Sequence, residues 1–239
     1  MNTIATIPIS NEARGRTRKL LASLEVDAAK LTKALARLPP RHRDPSTWNG
    51  RSGARLAIAR IIAALRPPDH VTKYRAVWRF CQPMATLPSA RGANGEPPRA
   101  GIMVMAIVAQ RLGYPVQPQP FGLAVTSHAI SRCLDRSNFE VDPVGAIFSA
   151  HNCLLALPPA AGEQVFELAD VTLATPGGAF LCTPCRIGRD APLAVARTWI
   201  SRGQTFPDQD TNLALWATLL GRTSYGVTVQ LTEKTRLTL

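Results

Sequence analysis

The sequence has few acidic residues, few aromatic residues and no long apolar run. Its 239 residues include 16 Asp and Glu against 28 Lys and Arg, a formal net charge of +12, and 6% are aromatic. No run approaches the roughly 18 apolar residues that a membrane-spanning helix needs. The first ten residues lack the basic segment and apolar core of a secretory signal peptide. We therefore expect a soluble, cytoplasmic protein with no membrane partner, and the 46% hydrophobic content is ample for a buried core.

Cysteine and the common catalytic motifs are also scarce. The five cysteines are an odd number and too sparse for a disulfide framework in a chain of this length. Reduced thiols or a metal site are the remaining options. The sequence has no glycine-rich phosphate loop ending in Lys-Ser or Lys-Thr, no nucleophile elbow, no HExxH motif and no paired carboxylates of a magnesium nuclease.

Positive charge is confined to one half of the chain. Residues 1–119 contain 19 Lys and Arg against 6 Asp and Glu, whereas residues 120–239 contain 9 against 10. A concentrated positive field attracts polyanions and speeds their encounter. Most of these cations are arginines, whose planar guanidinium suits phosphate. The sequence therefore predicts a nucleic-acid-binding region over residues 1–119, for RNA or DNA.

Several basic clusters are candidates for phosphate contacts in this region. Two are dense runs near the start, a third surrounds a predicted helix, and a fourth mixes cations with Tyr74 and Trp78, which suits stacking on unpaired bases. The candidate nucleic-acid-binding residues are Arg14, Arg16, Arg18, Lys19, Arg41, Arg43, Arg51, Arg55, Arg66, Lys73, Arg75 and Arg79.

Hydrophobic periodicity predicts a helical first half and a mixed second half. Apolar residues at three- and four-residue steps predict helices over residues 11–38, 52–65, 69–80 and 99–112. In the second half, helices are predicted over 128–135, from 143 to about 157, and over 212–220. Strands are predicted over 123–126, 164–173, 178–187, 193–201 and 225–231. The predicted fold class is α+β, with a helical N-terminal half followed by a helix pair packed on an antiparallel β-meander in a second domain, 120–239.

The densest polar group of the second half lies on the predicted helix 128–135. Residues four apart share a helix face, so His128, Arg132 and Arg136 would form one stripe. Such cations stabilise negative charge on phosphate oxygens, and a neutral imidazole moves protons near neutral pH. The competing interpretation is a solvated helix face with a histidine packed at its start.

A recognisable pattern runs through the second half of the chain. It begins with Ser-His-Ala-Ile-Ser-Arg-Cys-Leu-Asp-Arg at 127–136, continues with a helix and a three-stranded meander, and includes Val-Ala-Arg-Thr-Trp-Ile at 195–200. It resembles the small bacterial ribonuclease toxins of the RelE-like superfamily, which includes barnase-like and colicin-like nucleases. The resemblance covers residues 123–201 and implies helices packed on an antiparallel sheet and metal-independent cleavage of RNA. It would assign catalytic roles to His128, Arg132, Arg136, Arg197 and Thr198.

A second constellation favours a metal. His151 and Cys153 lie two residues apart, and Cys182 and Cys185 form a CxxC pair. Two ligands from each cluster would make a tetrahedral Cys₃His site for a structural zinc ion. The competing interpretation is four packed side chains, because cysteine is among the most commonly buried residues.

Two functional hypotheses follow. The first is a nucleic-acid-binding protein that uses its basic N-terminal half and acts as a metal-independent ribonuclease of toxin type, with no cofactor. The second is a non-catalytic DNA- or RNA-binding subunit of a ribonucleoprotein or of a plasmid- or phage-type assembly, with protein partners and a structural zinc site.

Overall fold

The computed structural model describes residues 8–36, 71–74, 77–87, 99–107, 118–156, 170–187, 191–204 and 227–230. These ranges contain three α-helices, which are α1 (Asn11–Ala36), α2 (Ser127–Arg136) and α3 (Pro143–Ala156). Their strands are β1 (Val71–Tyr74), β2 (Val77–Met84), β3 (Gly101–Ile107), β4 (Pro118–Thr126), β5 (Asp170–Thr175), β6 (Gly178–Ile187), β7 (Ala191–Ser201) and β8 (Val227–Gln230). No helix in these ranges is long and apolar enough to cross a membrane.

The strands form one sheet in the order β1-β2-β3-β4-β7-β6-β5-β8. Neighbouring strands are antiparallel except β4 and β7, which are parallel. The helices α2 and α3 lie between β4 and β5 in the chain and pack on β7 and β5, respectively. The α+β class and the helix pair on an antiparallel meander are thus confirmed. Strand β4 crosses the predicted domain boundary, so the sheet combines strands from both sides of it.

Two predicted helices of the first half are wrong. The sequence predicted a helix over residues 69–80. Instead, residues 71–74 and 77–84 form the antiparallel pair β1 and β2. The predicted helix over 99–112 is replaced between residues 101 and 107 by β3. Every residue of β3 is buried, because the strand lies inside the sheet with both faces covered. The predicted helices over 52–65 and 212–220 lie outside the described residues.

The helices α2 and α3 begin at well-defined caps. The hydroxyl of Thr126 accepts a hydrogen bond from the amide of Ala129 at 3.1 Å, so Thr126 is the N-terminal cap of α2. Asp142 caps α3 through both carboxylate oxygens, which accept from the amides of Val144 and Gly145 at 3.1 and 2.8 Å. Pro143 follows as the first helical residue, as predicted.

The core divides into two clusters that contain alternate residues of the strands. Ile102 and Val104 of β3 belong to the cluster that includes α2, α3 and the first half of α1. Met103 and Met105 belong to the other cluster, together with Leu31 of the second half of α1. Burying a large apolar side chain contributes about 1.5–3 kcal/mol. The long helix α1 contributes residues to both clusters, and it packs against α2.

Candidate functional site

A pocket of ≈ 380 Å³ opens between the start of α1 and the first half of α2. One wall is formed by Pro8 and Ile9, which precede α1 in the chain. The remaining lining residues are Arg14, Ser127, His128, Ser131 and Arg132. The pocket thus brings His128 and Arg132, predicted as catalytic, together with Arg14, predicted to bind nucleic acid.

Hydrogen bonds between α1 and α2 fix the shape of this pocket. The hydroxyl oxygens of Thr17 and Ser131 lie 2.8 Å apart in the buried contact between the two helices. At the other end of α2, Asp135 accepts a hydrogen bond from the amide of Ser10 at 3.2 Å. The pocket wall before α1 is therefore attached to the same helix that carries His128 and Arg132.

Arg132 is a buried cation that faces this pocket. Its exposed fraction is 4%, and its Nη1 atom is buried without a hydrogen-bond partner. Within the described ranges, no carboxylate forms an ion pair with it. A charge removed from water is costly unless a counter-charge and hydrogen bonds replace the lost hydration. The pocket therefore contains a positive charge whose counter-charge an anionic ligand would supply.

His128 is an exposed residue in the first turn of α2. Its pKa is lowered from 6.5, first by partial burial and then by the positive charges of Arg132, Arg99, Arg136 and Arg14. The imidazole is therefore neutral at pH 7. A neutral imidazole in a cationic pocket is able to accept a proton or a hydrogen bond from a bound ligand.

The other residues predicted as catalytic do not line the pocket. Arg136 donates a hydrogen bond to the backbone carbonyl of Trp199 at 2.7 Å and so ties the end of α2 to β7. The carbonyl of Arg197 accepts from the hydroxyl of Thr126 at 3.3 Å, which fixes the start of α2 against the same strand. Thr198 lies on β7 opposite Leu181 of β6. The side chain of Arg136 and the backbone of Arg197 thus attach α2 to β7.

The predicted nucleic-acid-binding residues on α1 have different surroundings. Arg14, Arg18 and Lys19 are exposed. Arg16 pairs with Glu12 at 2.7 Å, and its guanidinium lies 4.1 Å from the centre of the Phe139 ring. Lys73 lies on β1. The remaining predicted residues of the first half, apart from Arg79, lie outside the described ranges; they are Arg41, Arg43, Arg51, Arg55, Arg66 and Arg75.

Arg79 lies in the core, where the sequence predicted a basic surface. It is 1% exposed, and its Nη1 lies 2.6 Å from Nδ1 of His151, so the guanidinium donates to the imidazole. The Phe148 ring lies 5.4 Å from this guanidinium, and the Phe121 ring meets the imidazole edge-on at 5.0 Å. Burial, followed by the charge of Arg79, lowers the pKa of His151 to about 3. His151 therefore stays neutral as an acceptor.

The four predicted metal ligands are not brought together in the described part of the chain. His151 is bonded to Arg79, and the Sγ atoms of Cys153 and Cys182 donate to the backbone carbonyls of Ala174 and Phe180 at 3.9 and 3.8 Å. Cys185 belongs to the other core cluster. No group of three or more histidine, cysteine or acidic side chains that could hold a metal ion occurs among the described residues.

Sequence reasoning missed the part that α1 plays in the pocket. Arg14 was predicted as a surface contact, and no role in a binding site was predicted for Thr17, Ser127 or Ser131. One signal was present, because Ser127 and Ser131 lie four residues apart, directly before His128 and Arg132. The approach of α1 to α2 is a tertiary contact, however, and the helix period alone does not encode it.

The chain was compared with protein-family models, with curated proteins and with solved structures, and none of them matches.

Proposed function

We propose that this protein binds nucleic acid and that the pocket between α1 and α2 holds one of its phosphates. The observation that carries the proposal is Arg132, which is 96% removed from solvent and has no carboxylate partner within the described ranges. A phosphate supplies the missing negative charge and accepts charge-assisted hydrogen bonds from a guanidinium. The exposed Arg14 and the serine hydroxyls of the pocket are further donors to such a group.

The wider charge distribution supports a polyanion in preference to a small carboxylate. Arg99 and Arg136 act on His128 together with the two arginines of the pocket, so four guanidinium groups contribute to the potential there. The whole chain carries a net charge of +12, concentrated in its first half. Phosphate contacts of this kind supply most of the affinity of non-specific nucleic-acid binding and make it strongly dependent on salt.

A binding titration with a labelled single-stranded oligonucleotide of 12 residues, here called the 12-mer, tests the proposal. Arg132→Met fills a similar volume without charge, and we expect it to lower the affinity at least ten-fold at low salt. Lys33→Met is the matched control, because it removes the same charge about 28 Å along α1 from Arg14. Equal affinities of the two variants, or wild-type binding that is insensitive to salt, would contradict the proposal.

A second candidate function is metal-independent cleavage of RNA, and the neutral His128 favours it. An imidazole beside two arginines is suited to remove a proton from a ribose 2′-hydroxyl while the cations stabilise the charged phosphate. The test is incubation with RNA in EDTA. Cleavage that disappears in His128→Ala supports this function, and intact RNA after prolonged incubation with wild-type protein excludes it without affecting the binding proposal.

A further inference from the structure

The exposed side of α1 carries a second arginine next to the pocket. Arg18 follows Arg14 by four residues, which places it one helical turn, about 5.4 Å, further along the same edge of α1. Both side chains are exposed, and Thr17 between them faces α2. Within the described ranges, no acidic side chain pairs with Arg18.

We propose that the ligand is a nucleic-acid strand with at least two successive phosphates, the first in the pocket and the second on Arg18. This inference rests on the proposed function of the pocket. Arg132 and Arg14 hold the first phosphate, and the strand leaves the pocket along the edge of α1. The ligand class is thus a dinucleotide or longer strand, and a mononucleotide occupies only the first position.

The neighbouring charges of α1 set the direction and the length of this path. Arg16 is engaged by Glu12 and by the Phe139 ring. At 100° per residue, Lys19 projects about 140° around the helix from Arg14, whereas Arg18 projects about 40° from it. Glu25 lies within the same narrow edge two turns beyond Arg18, and its negative charge repels a further phosphate. The path along α1 therefore has two phosphate positions, one in the pocket and one on Arg18.

The experiment compares adenosine monophosphate, the 5′-phosphorylated dinucleotide pApA and a single-stranded 12-mer on four proteins. These are the wild type, Arg18→Met, Lys33→Met and Arg132→Met. We expect Arg18→Met to lower the affinity for the dinucleotide roughly ten-fold, which corresponds to about 1.4 kcal/mol. The affinity for the mononucleotide should stay unchanged. For the 12-mer, the slope of log affinity against log salt falls by about 0.7, the value for one phosphate of a single strand. Lys33→Met removes an exposed charge from the far end of α1 and changes neither quantity by a comparable amount.

The possible failures are distinguishable. If Arg18→Met and Lys33→Met bind the dinucleotide with equal affinity while Arg132→Met no longer binds it, the pocket stands and the second position is wrong. A loss of mononucleotide affinity in Arg18→Met also overturns the second position, because Arg18 would then act on the first phosphate. If Arg132→Met binds all three ligands as the wild type does, the proposed function fails together with the inference.

Discussion

The hydroxyl groups of Thr17 and Ser131 lie 2.8 Å apart and connect α1 directly to α2. Each hydroxyl has one proton, and each also lies within hydrogen-bond distance of a carbonyl of its own helix, Ala13 at 2.8 Å and Ser127 at 2.9 Å. One hydroxyl therefore donates to its own helix and the other donates across the contact. Because α1 carries Arg14 and α2 carries Arg132, this bond sets the distance between the two arginines of the pocket.

We expect Thr17→Val to lower the free energy of unfolding by about 1 kcal/mol, because it removes the bond between the helices with little change in shape. The 12-mer affinity should fall as well, since α1 positions Arg14. Urea unfolding of Thr17→Val, Ser131→Ala and the double variant measures the coupling. Additive losses would show that the two hydroxyls do not interact.

The buried, neutral His151 should make the free energy of unfolding fall in acid. Burial and the neighbouring Arg79 hold its folded pKa near 3, below the value of about 6.5 in the unfolded chain. This contribution is complete above pH 6.5 and is lost as the pH falls toward 3, by about 1.4 kcal/mol per pH unit, because only the unfolded chain takes up the proton. His151→Gln keeps an acceptor for Arg79 but does not titrate. Unfolding free energies from pH 7 to 4 should fall less steeply in this variant than in the wild type and in His128→Gln. Parallel curves for wild type and His151→Gln would refute this assignment.

The affinity for an oligonucleotide without terminal phosphates should rise as the pH falls below 6.5. The pKa of His128 is lowered by burial and four arginines, so the free protein holds it neutral at pH 7, and protonation adds a cation beside the bound phosphate. Linkage then requires the phosphate to raise the pKa of His128. Fluorescence anisotropy between pH 8 and 5 measures the effect. His128→Gln should bind with a weaker dependence on pH, and an unchanged dependence would place the titrating group elsewhere.

The thiols should be unreactive in the folded protein. All five cysteines are buried, and burial raises the pKa of Cys81, Cys133 and Cys153 to about 12 and that of Cys185 to about 11. The thiolate is the reactive form, so its population at pH 8 is very small. We expect slow reaction with Ellman's reagent in buffer and rapid reaction of five thiols in denaturant. Rapid modification of any thiol before unfolding would contradict the buried environment.

The parts of the fold that were predicted correctly carry strong local signals. Asp142 followed by Pro143 marks a helix start, and the turn residues that flank the strand over 178–187 delimit it. The helix with His128 and Arg132 was predicted to within one residue at its start and end. These signals come from caps, turns and propensities, which depend on neighbouring residues only.

The wrong predictions concern segments whose hydrophobic pattern is set by tertiary burial and not by the local secondary structure. Strand β3 reads Gly-Ile-Met-Val-Met-Ala-Ile, and because both faces are covered it has no alternation to distinguish it from a buried helix. In β2, Arg79 was interpreted as part of a basic helix face, but the strand directs it into the core toward His151. The pocket was only partly predicted for the same reason, since Arg14 and Arg132 are 118 residues apart in the chain.

Thermal unfolding of wild-type protein and Arg132→Met, each with and without the 12-mer, tests the central claim most directly. Without ligand, we expect Arg132→Met to be at least as stable as the wild type, because it removes a buried charge that has no carboxylate partner within the described ranges. Ligand that binds only the folded state raises the melting temperature. The 12-mer should therefore raise the melting temperature of the wild type by clearly more than that of Arg132→Met. An equal rise in both proteins would contradict the claim that Arg132 holds the phosphate.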